Sequence, residues 1–469
     1  MKCTLGKQLS YALLACSLLA SCAHQTTPEA QIAIPGHAVP GVQQEQLTPE
    51  FWIAREPNPK KVLLDARAIS LQNARLLELD PSVHDLEKIP PVLPAAGVRA
   101  WIEKISRYPD EDRYDAAGRK LERPDFDELL RNAALETVPL NQRTRYGLVV
   151  KRADLRTFPA PLRAFSSADE QNIDRFQESA LFPGTPVVIA HESRDGNWWF
   201  IVSSAYTAWV EKRFVAEGPA EEVLGYARKA PYLLVTGAMV KTVFTPERPE
   251  VSELQLDMGV RVPVLADWPE STLVNGQHPY TAHVIELPGR ASDGTLRFIP
   301  ALLPRTEDTS GNYLPLNQAN LLRQGFKFLG ERYGWGHSYN ARDCSGFVSD
   351  VYRSFGVQLP RNTRDQAVSP ARSRITFKET DDDEHRLAVL RNLEAGDLIY
   401  IPGHVMMVIG HENGMPYVIH DTTGISYRDA KGEVTRVVLN GVSVTPLTPL
   451  LVARKPLVEN ITSILRVRP

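Results

Sequence analysis

Ala341-Arg342-Asp343-Cys344-Ser345-Gly346-Phe347 decides the fold of the C-terminal third of the chain. Asp343 is a preferred N-cap residue, and Cys344 follows it in what should be the first turn of a helix. Phe347, Val348, Val351, Tyr352 and Phe355 recur at helical spacing, and Gly356 is a suitable stop. The spacing predicts a helix over about 344–355 with Cys344 at its N-terminus. Unpaired backbone N–H groups and the positive end of the helix dipole lie there, and both favour thiolate over thiol. A free cysteine is most often a small buried hydrophobe. The polar Arg-Asp-Cys-Ser-Gly setting argues instead for a nucleophile.

Working outward, Leu321, Leu322, Gly325, Phe328 and Leu329 mark an amphipathic helix, followed by Tyr333-Gly-Trp-Gly-His337. Downstream, 397–401, 404–410, 417–421 and 434–440 read as strands, and the charge run 379–385 reads as a solvated loop. His404 opens a strand after Gly403 and is placed to act as base and proton donor for Cys344. His420, on what should be the neighbouring strand, is the preferred orienting partner for that imidazole. Asp421 is the alternative, although strand alternation points it to the opposite face. The order Cys, His, polar residue is that of a thiol hydrolase. No cluster of metal ligands appears, and no cofactor is expected.

Cys344, His404 and His420, within Asp343-Cys-Ser-Gly346, resemble the NlpC-type cell-wall peptidases. Tyr333-Gly-Trp-Gly, Leu359-Pro-Arg361, Gln366 and Gly396-Asp-Leu398 match that family's pattern too, so the resemblance covers about 315–445. It implies a papain-like core of helices on an antiparallel sheet, here assigned to 315–469. It also implies cleavage of peptidoglycan stem peptides, commonly between γ-D-glutamyl and a diamino acid. Tyr333, Asp343, Ser345 and Thr363 match positions that line the family's substrate groove. In relatives with SH3 modules, Asp343 and its neighbours help bind the free amine and the γ-D-glutamyl part. Thr363 stands where the family often has Ser. His337 departs from a usual Gly; it is expected to serve its loop, with joining the site as the alternative. Two alternatives stay open: a papain-like acyltransferase or amidase, and a non-catalytic, lipid-anchored wall-binding protein.

Upstream, strand signals around the Asp195-Gly196 turn, with Trp198 and Trp209, resemble a bacterial SH3 barrel over 144–230. Its tryptophans are expected in the core. A weaker second copy spans 231–305, and 49–143 reads as a helical packing domain. The expected architecture is therefore multidomain α+β: a papain-like core preceded by two small SH3-like barrels and a mainly helical N-terminal region. The 469-residue length accommodates about three or four domains. A net charge of −3 offers nothing for nucleic acid to bind. Of the four cysteines, Cys3, Cys16 and Cys22 lie in the first 22 residues, which excludes a disulfide framework or a cysteine-rich zinc site in the body. Lys2 and Lys7, the apolar run 11–20 and Leu19-Ala-Ser-Cys22 resemble a lipoprotein signal, with Cys22 acylated and 23–48 a flexible tether. The expected setting is a bacterial envelope, on the periplasmic side of an outer membrane where there are two membranes. The expected state is a monomer acting on stem peptides or muropeptides.

Overall fold

The computed structural model describes residues 39–468. The expected leader over 1–22, its Cys22 and the tether up to 38 lie outside the described residues. The helix Cys344–Arg353 runs across one face of an antiparallel sheet, beside the helix Gln318–Phe326. The sheet orders its strands Arg374–Thr376, Ser463–Leu465, Leu398–Ile401, His404–Glu412, Met415–Arg428, Leu450–Val452 and Lys455–Pro456, and Val434–Pro446 pairs along Met415–Arg428. Val405, Met407, Ile409 and Ile419 pack under the two helices with Leu322, Phe347 and Val351. Met406, Val408 and Val418 point the other way, against Leu390, Leu457 and Ile464. Burial on both faces explains why 405–409 is a continuous apolar run rather than an alternating one.

The first barrel has seven strands: Gln177–Leu181, Ala153–Arg156, Thr207–Glu211, Trp198–Val202, Pro186–Glu192, Arg145–Val149 and Val215–Gly218, in sheet order. Gly196 turns the hairpin at φ +71°, which favours glycine. Trp198 and Trp209 are buried core, under the helix Ala95–Ile105. The second β unit closes two hairpins and a three-stranded sheet around Val235, Leu256, Ile285 and Leu303. Its strand Thr309–Ser310 pairs with Leu234 and Val235, so the unit runs past 305.

Three expectations need correction. The region 49–143 has no core of its own. Trp52, Leu64 and Ile69 join the C-terminal core, whereas Leu93, Val98 and Ile102 join the first barrel. Its helices carry narrow apolar stripes that only a neighbouring body can cover. The end of the tether is also packed: Val42 and Leu47 lie on the C-terminal core, and Tyr417 Oη donates to the Gly41 carbonyl at 2.7 Å. The charge run 379–385 is only half a loop. The helix Asp383–Leu390 starts inside it, because the Asp382 carboxylate accepts from His385 N and acids in a first turn suit the helix dipole. Among the described residues no helix is long and apolar enough to cross a membrane.

Candidate active site

Asp343 caps the nucleophile helix, and its Oδ1 accepts from Gly346 N at 2.8 Å. Cys344 therefore begins the first turn, as its sequence context predicts. It opens on a cavity of about 240 Å³ lined also by Tyr333, Trp335, Asp343, Ser345, Arg361, Thr363 and Gly403. The opposite wall comes from the first barrel: Arg175, Gln177, Glu178 and Tyr206.

The strand His404–Glu412 leaves a two-residue turn at Pro402-Gly403, with Gly403 at φ +78°. Val405 packs in one cluster with Cys344, which puts the cysteine near the mouth of this strand. His404 Nε2 lies 2.7 Å from His420 Nδ1, and His420 Nε2 lies 3.0 Å from Thr445 Oγ1. One proton order satisfies this chain with a basic nitrogen to spare. His404 Nε2–H donates to His420, whose Nε2–H donates to Thr445, and His404 Nδ1 keeps its lone pair. Asp421 takes no part. It faces the helix side with Ile419, fully buried, and neither carboxyl oxygen has a hydrogen-bond partner among the described residues.

The electrostatics oppose the thiolate expected from the helix start. Burial, and then the charge of Asp343, push the Cys344 thiol up to about 12, although hydrogen bonds from Thr363 and Val405 N–H work the other way. Burial takes His404 down to about 4. Burial, ahead of the capping carboxylate, thus works against the help that the helix start gives the thiolate.

Each expected groove residue has a definite place. Thr363 Oγ1 lies 3.6 Å from Cys344 Sγ. Tyr333 is half-buried in the wall, its hydroxyl pushed up by burial and by nearby Cys344 and Asp343. Ser345 and Asp343 are committed within the protein. Ser345 Oγ donates to Asp343 Oδ1 at 3.2 Å, and Arg361 donates to Asp343 Oδ2 at 2.7 Å and to Ser345 Oγ at 3.0 Å. Gly336 N fills the remaining approach to Asp343 at 3.0 Å. His337 is buried, its ring edge-on to Phe182 and close enough to Gly346 that a Cβ there would lie 2.6 Å from the imidazole. It serves the loop and the helix rather than the cavity surface near Cys344.

Sequence reasoning missed three residues. Glu178 accepts from Tyr206 Oη at 2.5 Å and from Thr157 Oγ1 at 2.6 Å, leaving a carboxylate on the barrel wall of the cavity. Arg361 also donates to Ser179 Oγ at 2.7 Å, tying the barrel to the helix cap. Arg361 stands in the quoted Leu-Pro-Arg motif, a signal that was there to use. Glu178 and Tyr206 stand in no motif.

His420 and Asp421 can be separated experimentally. His420→Ala removes the acceptor that orients His404, with an expected fall in turnover of about 10²-fold or more. Asp421→Asn should act on stability instead. Burial, with the charges of Asp343 and Glu331, holds the Asp421 carboxyl well above its usual range. The folded state then keeps a proton that the unfolded chain releases, so this group costs stability as pH rises above about 4. His404 acts in the opposite sense: its folded value is depressed, so stability is lost as pH falls from about 6.5 towards 4. Asp421→Asn should therefore raise thermal stability more at pH 8 than at pH 5. A larger turnover loss in Asp421→Asn than in His420→Ala would transfer the orienting role.

Residues 330–443 match the NlpC/P60 family, and 163–211 match an SH3 domain of the SH3b1 type. The chain is 30% identical over 196 residues to a γ-D-glutamyl-L-lysine dipeptidyl-peptidase of Bacillus cereus, a match covering 39% of this chain and 48% of that protein. It is 30% identical over 121 residues to a bifunctional muramidase/DL-endopeptidase of Bacillus subtilis, covering 24% of this chain and 31% of that one. The matched region thus spans about half the length of the first of these curated relatives, and less of the second. An NlpC/P60 endopeptidase from Photobacterium damselae subsp. piscicida shares the fold, with a TM-score of 0.69 at 16% identity over 87% of this chain and 94% of that one. The chain carries an NlpC/P60 family domain, with a bacterial SH3 barrel set against the cavity on which its cysteine opens.

Proposed function

We propose that the protein hydrolyses peptidoglycan stem peptides at the γ-D-glutamyl–diamino acid bond, with Cys344 as nucleophile and His404 as base. The observation that carries this reading is that Cys344 and Gly403, the residue before His404, line one cavity. His404 Nδ1 takes the thiol proton as the sulfur attacks the amide carbonyl. Backbone N–H groups at the helix start, including that of Cys344, receive the oxyanion. The C–N bond breaks, His404 returns the proton to the leaving amine, and water attacks the thioester to free the acid and restore the thiol. Each transfer by a positioned histidine contributes roughly 10²–10⁴-fold.

The barrel wall defines the other end of the substrate. With Asp343 held by Arg361 and two backbone N–H groups, Glu178 is the carboxylate open to a free amine, and Tyr206 orients it. The preferred substrate is therefore a short stem fragment with a free N-terminal L-Ala. The test is turnover of L-Ala-γ-D-Glu-diamino acid peptides followed by mass spectrometry. The free peptide should yield L-Ala-γ-D-Glu and the diamino acid, and its N-acetylated form should be cleaved at least about tenfold more slowly. Equal rates would remove the amine contact. An acylated amine product without free acid would make the protein a transferase.

We also propose attachment to a bacterial membrane through acylated Cys22, supported by the lipobox-like Leu-Ala-Ser-Cys. Cys22→Ser should move the protein to the soluble fraction. Continued fatty-acid labelling of that variant would refute the site.

A further inference from the structure

Outside the cavity, a cluster of buried charges sits where three parts of the chain join. Asp257 ends the strand Gln255–Asp257 of the second β unit and is 0% exposed. Its Oδ1 accepts from Arg342 Nη2 at 2.8 Å, from Gln255 Nε2 at 3.0 Å and from Arg152 Nη1 of the first barrel. Arg342, also 0% exposed, precedes the capping Asp343. It donates further to Asp350, to Glu331 and to the Ala238 carbonyl. Arg152 donates its other arm to the carbonyls of His337 at 2.9 Å and Ala341 at 2.7 Å.

These contacts grip both ends of one strained segment. His337, Tyr339 and Asn340 all sit at positive φ, of 64°, 62° and 58°. Non-glycine residues are strained there, and the conformation persists only where the surroundings impose it. The segment leads directly into Asp343 and Cys344. A carboxylate in another part of the chain thus joins the two guanidiniums that fix the approach to the nucleophile.

We infer that Asp257 is a positioning residue for Cys344: through Arg152 and Arg342 it holds the 337–341 segment and the helix cap in the arrangement that presents the sulfur to the cavity. The second β unit then acts as a structural key of the active site, whatever else it binds. The inference rests on the assignment of Cys344 as nucleophile.

The test uses Asp257→Ala, Asp257→Asn and Arg152→Gln in the full chain, with two readouts. One is kcat and KM on the free stem tripeptide. The other is the pH profile of Cys344 alkylation by iodoacetamide, followed on the tryptic peptide 343–353 by mass spectrometry. Asp257→Ala should lower kcat at least about tenfold with KM within about threefold, because Glu178 and Tyr206 are untouched. Its alkylation profile should shift along the pH axis. Arg152→Gln should do the same, and the double variant should be no worse than the poorer single one. If Asp257→Ala does not fold, Asp257→Asn and Arg152→Gln supply both readouts. Folded variants with lower melting temperatures but unchanged kcat and alkylation profiles would overturn the inference. That outcome is distinct from failure of the nucleophile assignment, in which Cys344→Ala itself would turn over normally.

Discussion

Cys344→Ala should reduce stem-peptide cleavage by at least about 10⁴-fold while leaving the fold intact. The sulfur is the only thiol among the described residues, and it lies against Thr363 Oγ1 and Val405 N–H. Losing a thiol from this wall removes one small side chain, so the folded state should tolerate it. Cys344→Ser is the more telling variant. It keeps the shape and the hydrogen bonds, yet a serine hydroxyl is a far weaker acid than a thiol, and burial leaves His404 a poor base for it. Both variants should still bind the peptide through the barrel wall. Product release assayed by chromatography, with binding measured separately, checks this. Retained turnover in Cys344→Ala would end the assignment.

Arg361→Leu should cost about 3–5 kcal/mol of stability, the largest loss expected from a single substitution near the site. Arg361 and Asp343 are both nearly buried, and their contacts include the Ser345 and Ser179 hydroxyls. Burial works against the guanidinium's charge, and the Asp343 charge more than compensates. Removing Arg361 strands that charge between two backbone N–H groups beside the sulfur, and it removes the direct tie from Ser179 of the barrel to the helix cap. Arg361→Lys should restore little, because an ammonium cannot match the two-pronged contact with the carboxylate. Denaturant unfolding monitored on the full chain gives the comparison. A loss below about 1 kcal/mol would mean that the pair acts as an exposed salt bridge does.

The parts of the protein that were legible in the sequence are those whose signal is local. The Cys344 helix announces itself by a cap, a 3.6-residue period and a glycine stop. The strand beginning at His404 does so by its apolar run, and His420 follows from alternation on the next strand. The pairing of His404 with His420 rather than Asp421 is a consequence of that alternation, and the 2.7 Å contact carries it. The Asp-Gly turn and tryptophans of the first barrel are equally local.

What was not legible depends on which bodies touch. Glu178 and Tyr206 look like ordinary strand residues until the barrel is laid against the helix cap. The region 49–143 reads as one helical domain because each helix is amphipathic, yet amphipathicity does not say which neighbour covers the stripe. The setting of Cys344 is legible only in part for the same reason. The helix dipole can be inferred from position, whereas burial of the sulfur and the charge of the capping carboxylate beside it come only from packing. Asp257, far from any motif, is the extreme case: its two arginine partners come from two other parts of the fold.

Trapping the acyl-enzyme tests the central claim most directly. The full-length protein is mixed with L-Ala-γ-D-Glu-diamino acid peptide, quenched in acid during turnover, and digested with trypsin. The account predicts a peptide spanning 343–353 that carries an L-Ala-γ-D-glutamyl group as a thioester on Cys344, lost on treatment with hydroxylamine and absent when His404 is replaced by alanine. Full turnover with no adduct on that peptide, or an adduct on any other residue, would contradict it.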